Sequence, residues 1–162
     1  MQTPKRKPAK FKSCRFDPYI SQQRYNKLNK ELKKLSKHIQ PKLALKVQEL
    51  AEMGDFSENA AYQIAKGKLR YINTRILEIK DILKNAKIIK KTKNKNTVQI
   101  GHTVLVKFNK KKLKFKILGA SESNPSKNII SHLSPLGSAL LGKSVGDEIM
   151  ANGNGYKIVR IK

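Results

Sequence analysis

The sequence predicts an α+β protein in two parts, an N-terminal helical hairpin followed by a small C-terminal domain of one sheet and one short helix. Three observations predict it. Apolar residues step by three and four from Tyr25 to Ala86, a polar lysine-rich break follows at 90–96, and short alternating apolar runs separated by Gly, Asn and Pro fill the rest.

The first stripe is Tyr25, Leu28, Leu32, Leu35 and Ile39, one face of a helix and the seam of a coiled coil. Pro41 lacks an amide hydrogen and crowds the preceding turn, so a kink or local register change is expected there. The stripe resumes at Leu43, Val47 and Leu50, which carries the helix to about Met53. A second stripe runs through Tyr62, Ala65, Leu69, Ile72, Ile76, Ile79, Leu83 and Ala86. Only Gly54 to Ser57 separate the two, a connection short enough to force an antiparallel hairpin with facing seams. From Ser21 to Met53, at about 1.5 Å per residue, each arm is on the order of 45 to 50 Å long.

Four segments follow from this reading: a disordered basic tail over 1–18, a hairpin finger over 19–89, a linker over 90–96 and a C-terminal domain over 97–162. In that domain Val98 to Phe108, Leu113 to Leu118, Ile129 to Leu133, Glu148 to Met150 and Tyr156 to Ile161 are the expected strands. Ser134 as N-cap and Pro135 at the first helical position start the single helix, which runs through Leu141 and ends at Gly142. Asn152 to Gly155 form a turn before the final strand.

Composition narrows the functional classes. The 162 residues hold 36 Lys and Arg against 11 Asp and Glu, a net charge of +25 that draws the chain towards polyanions, so nucleic acid or a nucleic-acid enzyme is the expected partner. The single cysteine, Cys14, excludes an intramolecular disulfide framework and fits a reducing interior. No secretory h-region follows the basic start, and no apolar run has membrane length, so a cytoplasmic location without membrane contact is expected. His38, His102 and His132 are dispersed without a second ligand at metal-site spacing, and no phosphate loop, nucleophile elbow or zinc cluster is present.

The acids are concentrated. Glu49, Glu52, Asp55 and Glu58 fall within ten residues, and no Lys or Arg lies between Lys46 and Lys66. Residues 1–46 carry 14 basic and 2 acidic side chains and residues 66–95 carry 11 and 2, so a cationic rod ends in an anionic tip. Such a tip is repelled by phosphate unless divalent cations intervene, which suits it to metal ions. A structural alternative stands beside this: Gly54 can end the first helix, and Asp55 with Glu58 can form a capping box at the second.

Met53-Gly54-Asp55-Phe56-Ser57-Glu58-Asn59-Ala60-Ala61-Tyr62, with Ala65-Lys66, resembles the tip signature of the GreA and GreB transcript cleavage factors. Ser134 to Lys143, then Val145-Gly146-Asp147, resembles the C-terminal signature of the same family, and Pro41 sits where its first helix commonly has a proline. The resemblance covers about Ser21 to Ile161. It implies a coiled-coil finger that enters the secondary channel of bacterial RNA polymerase, and an antiparallel C-terminal domain of FKBP-like topology that docks at the channel mouth. By the same resemblance Asp55 and Glu58 help hold a Mg²⁺ ion shared with the polymerase, and the backtracked 3′ end of the nascent RNA is cleaved. Ser57, Asn59 and Tyr62 support the tip, Lys66, Lys68 and Arg70 contact RNA, and Ser134 and Pro135 mark the docking loop. A monomeric ligand donor rather than a free-standing nuclease is expected.

Three departures bear on activity: Ala61 stands where the family often has a third tip acid, Gly67 weakens the second helix near the tip, and the basic tail has no family counterpart. A channel-blocking inhibitor without cleavage activity is the competing expectation. A nonspecific nucleic-acid binder would show no dependence on Asp55 or Glu58. A peptidyl-prolyl isomerase is disfavoured because only Phe108, Phe115 and Tyr156 supply rings after residue 96.

Overall fold

The computed structural model describes residues 17–53, 59–90, 96–109 and 111–162. Its N-terminal part consists of β1 (Tyr19–Ile20), α1 (Gln22–Lys34), a π-helical turn (Leu35–Ile39), α2 (Gln40–Glu52), α3 (Ala60–Asn85) and β2 (Lys87–Ile88). The expected seam forms. Leu28, Leu35, Ile76 and Ile79 are buried between the arms, with Leu32, Ile39, Ile72, Ile82 and Leu83 packed against them. Each fully buried Leu or Ile contributes about 1.5 to 3 kcal/mol.

The register change expected at Pro41 takes the form of the π turn just before it. In an unbroken α-helix the proline ring would collide with the carbonyl of Lys37, four residues back. Instead the Gln40 amide bonds to the carbonyl of Leu35, five residues back, and the widened turn lets the arm continue into α2. Polar contacts then stitch the arms together: Gln40 Nε2 donates to Asn73 Oδ1 at 2.8 Å, and Arg75 reaches across to Glu31 at 3.0 Å while also pairing with Glu78 of its own helix at 3.2 Å. The hydrogen bond that Arg75 donates to Glu31 raises the Arg75 pKa above its ordinary value.

Helix α3 runs through Gly67 without a break, and a Cβ built there meets nothing within 4 Å. Gly67→Ala therefore adds helix propensity without a clash. It should stabilise the finger by about 0.5 to 1 kcal/mol, read as a raised thermal midpoint.

The seam stops one residue short of its expected end. At Ala86 the backbone turns extended, with ψ 127°, and Lys87–Ile88 pairs in parallel with Tyr19–Ile20. The Lys87 amide donates to the Pro18 carbonyl at 2.7 Å and the Ile89 amide to that of Ile20 at 2.9 Å, which closes the base of the finger. Asp17 and Pro18, expected at the end of the tail, take part in this closure. Residues 1–16 of the tail and 91–95 of the linker lie outside the described residues.

The C-terminal part comprises β3 (Thr103–Phe108), β4 (Lys111–Leu118), β5 (Ile129–Ser131), α4 (Pro135–Leu140), β6 (Glu148–Ala151) and β7 (Asn154–Ile161). The sheet order is β5-β4-β3-β7-β6. Three pairings are antiparallel, as expected, and at one edge β4 pairs with β5 in parallel. Two short 3₁₀ turns, Ala120–Glu122 and Pro125–Lys127, carry the chain back from the end of β4 to the start of β5, the crossover a parallel pair requires.

The first strand begins at Thr103 rather than Val98, because Gly101 adopts φ +102° and bends the chain. Val98 is nevertheless buried, its amide donating to the Lys143 carbonyl at 2.8 Å. The core joins Val98, Val104, Val106, Ile117, Ile149 and Ile158 of the sheet side to Leu140 of α4. Asn152 and Gly153 both have positive φ, and with Ala151 paired to Asn154 they form the two-residue turn that a tight hairpin selects.

Candidate functional site

Asp55, Ser57 and Glu58 lie outside the described residues, and the structure defines the frame on either side of them. α2 ends at Glu52 with Met53 as its C-cap, and α3 starts at Ala60. Its N-cap is Asn59. The Asn59 Oδ1 accepts from the Tyr62 amide at 2.9 Å, while Nδ2 donates to the Leu50 carbonyl at 3.2 Å, so one side chain caps α3 and ties it to α2. The first turn of α3 contains no acid. The second helix is therefore started by the Asn59 cap rather than by an Asp55–Glu58 capping box.

This dual contact gives a measurable expectation. Asn59→Ala removes the cap and the inter-arm bond together and should destabilise the tip end of the finger by about 1 to 2 kcal/mol. Asn59→Asp keeps the cap oxygen and loses only the bond to Leu50. Thermal unfolding should rank wild type above Asp and Asp above Ala.

Behind the tip, Lys66 Nζ sits 5.3 Å from the centroid of the Tyr62 ring, a cation–π contact one turn apart. Lys66 and Arg70, four residues apart, share a helical face, whereas Lys68 points to another. All three are exposed. The structure thus groups two of the three expected RNA-contacting cations with Tyr62 and leaves Lys68 apart. α3 has 26 residues, which at about 1.5 Å each holds the tip roughly 39 Å from the finger base.

In the C-terminal domain Ser134 is the N-cap of α4 and Pro135 occupies its first turn. The Ser134 hydroxyl donates to the Ser131 carbonyl at 2.6 Å and accepts from the Gly137 amide at 3.1 Å. A Cβ at Gly137 would lie 2.0 Å from the Ser131 carbonyl oxygen, so only glycine lets the helix close down on this loop. Leu133, 61% exposed, stands beside the cap.

Sequence reasoning missed the residues that join finger and domain. Asp17 Oδ1 accepts from the Tyr19 amide at 3.0 Å, its Oδ2 accepts from the Ala120 amide, and His132 Nδ1 lies 3.4 Å from the same Oδ2. Glu122 grips Ser21, accepting from its amide and its hydroxyl, each at 2.6 Å. The only sequence signal was that Asp17 is the sole acid before Glu31. Among the described residues no group of three or more His, Cys, Asp or Glu could hold a metal ion.

Comparison with known proteins agrees along the chain. The family described as "Transcription elongation factor, N-terminal" matches residues 18–88, and "Transcription elongation factor, GreA/GreB, C-term" matches residues 93–162. The transcription elongation factor GreA of Nautilia profundicola is 43% identical over 141 residues, covering 85% of this chain and 87% of that one. GreA of Clostridium acetobutylicum is 39% identical, covering 84% and 90%. Among solved structures, the GreA factor homolog 1 (Gfh1) protein of Thermus thermophilus is 25% identical, covering 85% of this chain and 94% of that one, with a TM-score of 0.40. The two family matches and the identity to the GreA proteins establish that the chain belongs to the GreA/GreB family of transcription elongation factors.

Proposed function

We propose that the chain binds bacterial RNA polymerase, passes its finger through the secondary channel and stimulates Mg²⁺-dependent cleavage of backtracked nascent RNA. The observation that carries this reading is the division of labour at the tip. Asn59 caps α3, so starting that helix does not call on the carboxylates of Asp55 and Glu58. Two acids on a bare anionic segment of a cationic finger then have electrostatic reason to meet cations rather than phosphate.

The donor set fits the metal. Carboxylate oxygens are the hard ligands Mg²⁺ prefers, but two of them make an incomplete octahedral site, so Asp55 and Glu58 act as donors to a site completed by polymerase and RNA phosphate. A Mg²⁺ ion held there would supply activation of water and stabilisation of the leaving 3′ oxygen. The chain's own contribution is positional. The seam keeps the tip at reach, Asn59 holds the arms together, and Lys66 with Arg70 presents positive charge towards the RNA just behind the acids. Ser134 and Pro135 shape the loop beside exposed Leu133 that contacts the polymerase.

The experiment uses halted, backtracked elongation complexes. Adding the full chain with Mg²⁺ should release short 3′ RNA fragments and restore elongation. Slowed synthesis with no released fragment would overturn the reading in favour of channel blocking, with Ala61 in place of a third acid as its physical basis.

A further inference from the structure

From residue 97 onward the chain holds eleven Lys and Arg and only three acids, Glu122, Asp147 and Glu148. The pleat sorts these cations. Val104, Val106 and Ile117 point inward to the core under α4, so Lys107, Lys112, Lys114, Lys116, Lys157 and Arg160 point the other way. Lys162, opposite Thr103, joins them, and all seven are exposed. Of the three acids, Glu122 is engaged with Ser21 and Asp147 accepts from the Ser144 amide; only Glu148 borders this face, paired to Lys157 at 3.1 Å.

A solvated strand face needs polar residues, but it does not need these. Lys107 lies directly opposite Lys112 on one neighbour and Lys157 on the other, and like charges placed directly across a pair destabilise a sheet. Thr, Gln or Glu would satisfy the alternation without that repulsion. No aromatic side chain of the described residues lies on this face, because Phe115 and Tyr156 pack against the core and Phe108 stacks on Tyr156 at 5.0 Å. Base stacking, the usual hold on single strands, is therefore not on offer.

We propose that the outer face of the C-terminal sheet binds the phosphate backbone of double-helical DNA, independently of sequence. Five residues of β4 from Lys112 to Lys116 span roughly 13 Å, and strands lie about 4.8 Å apart. Such a patch is wide enough to meet phosphates on both sides of a minor groove about 6 Å wide. This goes beyond the tip chemistry: it gives the domain a second contact, with the duplex rather than the transcript, and the two are separable by mutation.

The test compares the full chain with two triple variants of equal net charge: Lys107→Gln/Lys112→Gln/Lys114→Gln on the sheet and Lys33→Gln/Lys37→Gln/Lys80→Gln on the finger. A labelled random-sequence DNA duplex is titrated at several salt concentrations. The sheet variant should bind at least tenfold more weakly, with the salt slope reduced by about 2 to 3, while the finger variant changes less than about threefold. Replacement of the same three sheet lysines by Arg should keep the affinity, which shows the loss is not misfolding. Equal weakening in both variants, or tighter binding of a single strand than of the duplex, would overturn the proposal. So would unchanged duplex affinity in the sheet variant together with weaker polymerase binding, which would assign the face to an acidic protein surface. RNA cleavage in minimal complexes lacking upstream duplex should be unaffected by the sheet variant, so failure here is distinguishable from failure at the tip.

Discussion

Asp55→Asn should reduce stimulated RNA cleavage by about a hundredfold or more while leaving polymerase binding intact. The substitution changes one oxygen for an amide nitrogen, so volume and hydrogen-bonding reach are nearly preserved. Asn is as good an N-cap as Asp, and the cap of α3 is in any case Asn59. A structural role would therefore survive the change. A ligand role would not, because an amide supplies no negative charge to a hard divalent ion, and the loss of several kcal/mol of charge stabilisation corresponds to orders of magnitude in rate. Glu58→Gln should act in the same direction. Fragment release from backtracked complexes measures the first property, and competition for polymerase against unmodified protein measures the second. Full cleavage by Asp55→Asn would return the tip acids to the status of surface charge.

Gly119→Ala should loosen the joint between finger and C-terminal domain at a cost of about 1 to 3 kcal/mol. A Cβ at this position would lie 1.8 Å from the Tyr19 carbonyl oxygen and 3.2 Å from Asp17 Oδ2, so β1 would have to move away. The displaced segment carries the Pro18 and Ile20 carbonyls that receive the Lys87 and Ile89 amides, and the Asp17 carboxylate that receives the Ala120 amide. Hydrogen exchange at those three amides should accelerate about tenfold or more, while amides of the buried strand β3 keep their protection. Cleavage stimulation should fall as well, since the tip stands roughly 39 Å from this joint and small rotations at the base displace it by several ångströms. Unchanged exchange would show that the contacts at the joint do not hold the two parts together.

The sequence by itself determined the features that repeat or concentrate locally. A seam stepping by three and four marks two helices whichever way they later pack, Pro41 disturbs its own preceding turn, and Ser134-Pro135 starts a helix with its own hydroxyl and ring. The acidic tip was legible because the absence of Lys and Arg from Val47 to Ala65 is a property of the chain alone. Only the tertiary structure decided what depends on residues distant in sequence. Tyr19–Ile20 and Lys87–Ile88 are too short to show any period, and their pairing exists because the hairpin brings its two ends back together. The parallel placement of β5 beside β4, the Asn59 bond to Leu50, and the grip of Asp17 and Glu122 across the joint arise in the same way. The alternating apolar residues of β4 announced a strand, but that Lys107 stands between Lys112 and Lys157 is a matter of register. Periodicity encodes which side of an element is apolar; which partner that element meets is set by chain return and packing, and no local pattern carries it.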